Sequence, residues 1–89
     1  MNNNNLIGIV NKPQFDTNVF EVGKAVHIKQ IESNGYKSLD ADCIIIESTP
    51  LCLQGIYYNK QKEDTRSIEI LITNFVDGIF EISLLKEDI

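Results

Sequence analysis

The sequence predicts one small, mostly-β domain, a single five-stranded antiparallel barrel or curled sheet. Three observations point there. The chain has 89 residues, room for one domain and not two. Ile occurs 14 times, and this β-branched side chain is stiff at χ1 and packs well on a pleated surface. Apolar residues alternate with period two in several segments, whereas no convincing 3.6-residue period is sustained over roughly 11 residues.

The elements follow in order. Residues 1–5, Met1 and four asparagines, read as a disordered polar tail, with the folded domain spanning residues 6–89. Residues 6–10 read as a short strand ended by Pro13, which lacks a ladder donor. A brief helical turn fits between Pro13 and Asn18. The first clear strand is predicted over residues 20–30: Phe20, Val22, Val26 and Ile28 share one parity, Glu21, His27 and Lys29 the other, and Gly23 bends it. Ser33-Asn34-Gly35 is a turn signal, and residues 36–41 read as an irregular arm.

The second strand, residues 42–47, carries the apolar run Cys43-Ile44-Ile45-Ile46, as a strand covered on both faces would. Pro50 interrupts the chain before a third strand at residues 51–58. A charged loop follows at residues 59–65, then a fourth strand at 67–73 and a fifth at 79–85. Residues 86–89 read as a fraying charged tail. Asp77-Gly78 predicts a hairpin between strands four and five. A two-residue loop would set the apolar face of one strand beside the polar face of the next. A three-residue loop with Gly78 in a bulge puts Ile70 beside Leu84 and Ile72 beside Ile82, and is preferred.

The stretch Phe20-Glu21-Val22-Gly23-Lys24-Ala25-Val26 resembles the opening strand of SH3-like small β-barrels, with residues 31–41 as their long first loop. The resemblance spans residues 20–85. It implies a fold and no activity, since such barrels bind peptides, nucleic acids or other subunits.

Charge and motifs narrow the function. The net charge of −5 disfavours phosphate backbones and anionic membranes. No signal-like or membrane-spanning apolar run occurs, so a cytoplasmic protein is expected. A tight hairpin pairing Glu47 with Leu51 and Cys43 with Gly55 separates Cys43 from Cys52 by three ladder positions, roughly 10 Å. A disulfide needs Cα atoms within about 7 Å, so reduced thiols are expected. His27 reads as an exposed strand residue, and with the two cysteines it lacks zinc-ligand spacing. No phosphate loop, dinucleotide fingerprint or nucleophile elbow is present, so neither enzyme, metal site nor cofactor is predicted.

Tyr57, Tyr58, Lys60, Lys62 and Arg66 form the most distinctive cluster. Tyrosines stack on bases and cations follow a backbone, but Glu63 and Asp64 reduce the local charge to +1 (three basic minus two acidic). An ordinary solvated hairpin loop beside two tyrosines explains the same residues. Phe75 and Val76 flank the Asp77-Gly78 turn, as a contact point or as a cap on an open barrel end. The reading that follows is a non-enzymatic module binding proteins, itself included as a homo-oligomer, with an accessory or phage-type regulatory protein as one form of it. A nucleic-acid-binding barrel is the alternative, and a sponge holding a small ligand between subunits is the third.

Overall fold

A computed structural model describes residues 12–85. The expected tails at residues 1–5 and 86–89 and the strand at 6–10 lie outside the described residues. The elements are β1 (Ala25–Ile31), β2 (Lys37–Ser48), β3 (Cys52–Asn59), β4 (Asp64–Leu71), α1 (Ile72–Val76) and β5 (Phe80–Leu84). They build one antiparallel sheet in the order β4-β3-β2-β1-β5. The domain is mostly β, as predicted, but the sheet does not close into a barrel: β4 and β5 are its two edges.

Two local expectations near β1 are corrected first. The segment at 36–41 is not an irregular arm. Gly35, at φ +85°, turns the chain, and β2 starts at Lys37 and pairs with β1 from there. The first strand begins at Ala25 rather than Phe20, because Gly23 at φ +91° ends the preceding segment. Its N–H donates to the Ile45 carbonyl at 2.7 Å.

The largest correction concerns β4 and β5, which do not pair. Residues 72–76 coil into α1, and Gly78, at φ +81°, caps the helix C-terminus. Its N–H donates to the Phe75 carbonyl (3.1 Å) and the Ile79 N–H to the Asn74 carbonyl (3.0 Å), the paired bonds of a Schellman cap. The left-handed glycine was read correctly but serves a helix, not a hairpin. The chain then crosses to the far edge, where Ile28 faces Ile82 and Gln30 faces Phe80. The pairs Ile70–Leu84 and Ile72–Ile82 therefore do not form.

The β2–β3 register also differs. Ser48 faces Leu53, Glu47 faces Gln54 and Ile45 faces Gly55, with a bulge between Ile45 and Glu47 that takes up Ile46. Cys43 then lies on the inner face and Cys52 on the outer. Both are free thiols, as expected, although the predicted hairpin register was wrong.

One face of the sheet holds the core: Val26, Ile28, Cys43, Ile45, Leu53, Ile70 and Phe80 are buried there. Phe15 and Ile72 complete it from outside the sheet. The Phe15 N–H donates to the Pro50 carbonyl at 2.7 Å, anchoring the segment before β1. The Phe15 ring meets Phe20 edge-on at 6.0 Å and Phe75 at 5.7 Å, so α1 and this segment together cover the inner face.

Candidate functional site

The two central strands are joined over only part of their length. Pairing between β2 and β3 runs from Ser48–Leu53 to Ile44–Ile56 and stops. Beyond that point β2 continues against β1 as far as Lys37, and β3 continues against β4 as far as Asn59. The β1–β2 and β3–β4 hairpins thus diverge as a fork, and an open groove of about 620 Å³ lies between them. Its walls come from β2 on one side and from β3 with the following turn on the other.

Backbone direction inside the fork follows from the ladder. The Ile45 N–H donates to the Lys24 carbonyl, on the β1 side. Backbone groups alternate along a strand, so those of Asp42 and Asp40 point away from β1 and into the groove. By the same alternation from the Ile44–Ile56 pair, those of Tyr58 point in from the other wall.

The side chains divide by face. On the inner side the groove meets Leu39, Ala41 and Tyr57; Leu39 and Tyr57 are half-buried and packed against the core. On the outer side it meets Asp40, Asp42 and Tyr58, with Lys60 at the mouth. Tyr58 is 58% exposed.

His27 supports the β2 wall. It lies directly across from Asp42 and diagonally from Asp40. Its Nδ1 donates to Asp42 Oδ1 at 2.6 Å, and its Nε2 donates to Asp40 Oδ1. A neutral imidazole has one N–H, so serving both carboxylates takes the imidazolium. The His27 pKa is accordingly raised above the ordinary 6.5, first by the Asp42 hydrogen bond and then by that of Asp40, with partial desolvation opposing. Because the carboxylates bind opposite edges of one ring, the three groups do not converge on a common point. Among the described residues no such cluster is arranged to hold a metal ion.

The sequence cluster is split by the pleat. Tyr57 and Arg66 face each other on the inner side, and Tyr58 projects from the opposite side. Arg66 Nε donates to Asp64 Oδ1 at 3.1 Å, so the most delocalised cation of the group already has a carboxylate. Lys60 and Lys62 sit in the exposed β3–β4 turn, where the Lys62 N–H is held by Asn59 Oδ1 at 3.1 Å. Phe75 is half-buried against Phe15, at one end of the core, and Val76 is exposed. Neither lines the groove.

Sequence reasoning missed the part played by His27, Asp40 and Asp42. The alternation of Asp40 and Asp42 was a usable signal, but the boundary between the expected irregular arm (residues 36–41) and the expected second strand (42–47) fell between them.

A second feature of the outer face is apolar. Ile44 and Ile46 are each 43% exposed, and the partly buried Ile56 lies directly across from Ile44. With Tyr58 two residues further along β3, they make an uncovered row at the centre of the sheet. No model of a known protein family matches the sequence, and no curated protein is similar to it. Among the described residues no helix is long and apolar enough to cross a membrane.

Proposed function

We propose that the protein is a non-enzymatic binding module that works through protein contacts in the cytoplasm, with a second copy of itself as the first partner to test. The observation that carries this reading is the outer row Ile44, Ile46, Ile56 and Tyr58. A sheet with one buried face normally turns polar residues to water on the other. Here the centre of the solvent face is isoleucine and tyrosine, the composition of an interface core, with charges at its margin. The SH3-like arrangement belongs to the same proposal. It is supported by the short antiparallel strands and by the return of the last strand onto the first, and it carries no activity of its own.

The acidic groove wall and the Arg66–Asp64 pair weigh against a phosphate backbone as partner. Analytical ultracentrifugation beside a mobility shift with mixed RNA and single-stranded DNA tests the reading. Assembly that is weakened by Ile44→Lys and Tyr58→Ala, and unaffected by Lys60→Ala or Lys62→Ala, is the expected result. A monomer that shifts nucleic acid in a salt-sensitive way would overturn it.

A further inference from the structure

We propose that the fork between β2 and β3 takes an extended peptide whose residues alternate between basic and apolar, docked along β2 at Asp40–Asp42. The proposal deepens the protein-binding reading, on which it rests, by naming the site and the chemistry of the segment that fills it.

Three independent features of the fork specify the occupant. The first is the backbone. Where β2 leaves β3, the N–H and C=O groups of Asp40 and Asp42 face the groove without a strand partner, as the ladder alternation requires. Such a row is a template for an added strand, which supplies the missing hydrogen bonds in register. The opposite wall turns away with β4, so the gap widens from the Ile44–Ile56 pair outward.

The second is the difference between the two rims. A strand laid along β2 alternates its side chains between the sheet faces. Those on the inner side meet Leu39, Ala41 and the ring of Tyr57, a surface for Val, Ile or Leu. Those on the outer side meet Asp40, Asp42 and the exposed Tyr58. The groove thus reads a period-two pattern.

The third is charge. Asp40 and Asp42 share a single imidazole, which carries at most one positive charge against their two negative ones. Both remain substantially exposed, with side-chain accessibilities of 47% and 68%. Each carboxylate keeps an oxygen that His27 does not use. A lysine or arginine from the docked strand can take the excess negative charge, with the Tyr58 ring as a second favourable surface for a cation. Lys29 lies behind this wall on β1, across from Asp40, and Lys60 lies at the mouth. Lys29 has Glu81 on its other side in the ladder, so Asp40 and Asp42 remain the charged groups of β2 that line the groove.

The test uses the full chain and a short fluorescent peptide alternating valine with lysine, read by anisotropy. Two partner peptides accompany it: one with glutamate for lysine, and one with the same side chains but N-methylated at alternate backbone amides. The lysine peptide should bind saturably and more weakly as salt rises. The glutamate peptide should not bind, and N-methylation should abolish binding, because it removes strand pairing without changing the protein. Asp42→Asn and Asp40→Asn, which keep side-chain volume, should each weaken binding about tenfold, the scale of one charge-assisted hydrogen bond at an exposed site. Equal binding of lysine and glutamate peptides, undiminished binding after N-methylation, or no binding at all would each overturn the proposal. Ile46→Ser separates the two readings: Ile46 belongs to the exposed apolar row at the closed end, four residues along β2 from Asp42, so the change should weaken assembly on the outer face and leave peptide affinity within about twofold.

Discussion

The β2–β3 interface has a closed end and an open end, built from the same two strands. At the closed end Ile45 faces Gly55 and both are buried, with Cys43 and Leu53 close by. A Cβ built on Gly55 would lie 3.3 Å from the Cys43 Cβ and 3.4 Å from the Ile44 carbonyl oxygen. The strands approach that closely because the inner position of β3 there is glycine. Two residues on, the inner position is Tyr57 and the strands have parted. Across the outer face the contrast is isoleucine at the closed end against Asp40 and Asp42 at the open end. Pairing stops where bulk appears on one face and carboxylates on the other. The closed half holds the fold, and the open half leaves backbone and charge unpartnered.

The largest expected effect belongs to the closed end. Ile45 is 2% exposed, so Ile45→Ala removes a fully buried side chain and should cost about 2–5 kcal/mol, measured by urea unfolding. Total stability for a domain of this size is on the order of 5 kcal/mol, so this change can approach complete unfolding. Ile44→Ala, one residue away on the opposite face, should cost less than half as much. Equal losses would show that the outer face is covered, and would remove the distinction between the two sides of the sheet.

Gly55→Ala comes next. Its new methyl meets a Cβ and a backbone carbonyl rather than the movable end of a side chain, so overpacking of about 1–3 kcal/mol is expected. A neutral result would mean that glycine is not what brings the two strands together. Alanine at the open end, as in Tyr58→Ala, should change stability by no more than about 0.5 kcal/mol.

The same contrast explains what was legible in the sequence. The closed half was read from local patterns: the alternation of Ile68 and Ile70 and the breaking of the chain at Pro50; the Cys43–Ile46 run marked a strand there, but not one covered on both faces, since Ile44 and Ile46 are each 43% exposed. Gly23, Gly35 and Gly78 were all recognised as special positions, and each has positive φ. Where they led was not legible, because a left-handed glycine serves a hairpin and a helix cap equally well. For Asp77-Gly78 the choice depended on β1 offering β5 a better partner than β4, a long-range fact with no local trace. The open half failed for a related reason. Aspartate is depleted in strands, so Asp40 argued locally against one, and the His27 that engages Asp40 and Asp42 across the ladder lies 13 and 15 residues away in sequence.

The thiols sharpen the comparison by chemistry. Cys43, on the inner face of the closed end, is 1% exposed, and burial pushes its pKa up to about 11. Cys52 is half-buried on the outer face; its pKa is raised by desolvation and by the neighbouring Glu69. An aromatic disulfide reagent at neutral pH should therefore modify Cys52 first and Cys43 only at the rate of opening or unfolding. In Cys52→Ser the remaining native-state reaction should be slow and become complete in denaturant. Fast labelling of Cys43 would show that the closed end opens readily.

The smallest effect lies at the open end, in the titration of His27. It is the single histidine of the chain, so its ring resonances are unambiguous in a proton NMR titration. The two carboxylates favour the imidazolium, and the midpoint should lie above 6.5. The sign of the stability effect follows. A group whose pKa is raised on folding contributes stability that is fully present below the unfolded value of 6.5. That contribution is lost as pH rises through the higher folded value. Urea unfolding should thus show a shallow decline across that interval, absent in His27→Gln. Asp42→Asn should return the midpoint further toward 6.5 than Asp40→Asn, because the Asp42 hydrogen bond is the larger influence. Peptide docking should shift it too. A cation drawn to Asp40 and Asp42 competes with the imidazolium for the same carboxylates, so bound lysine peptide should lower the His27 midpoint, and by linkage peptide affinity should rise as His27 loses its proton. A midpoint at or below 6.5 in the free protein would mean that the clamp does not hold in solution.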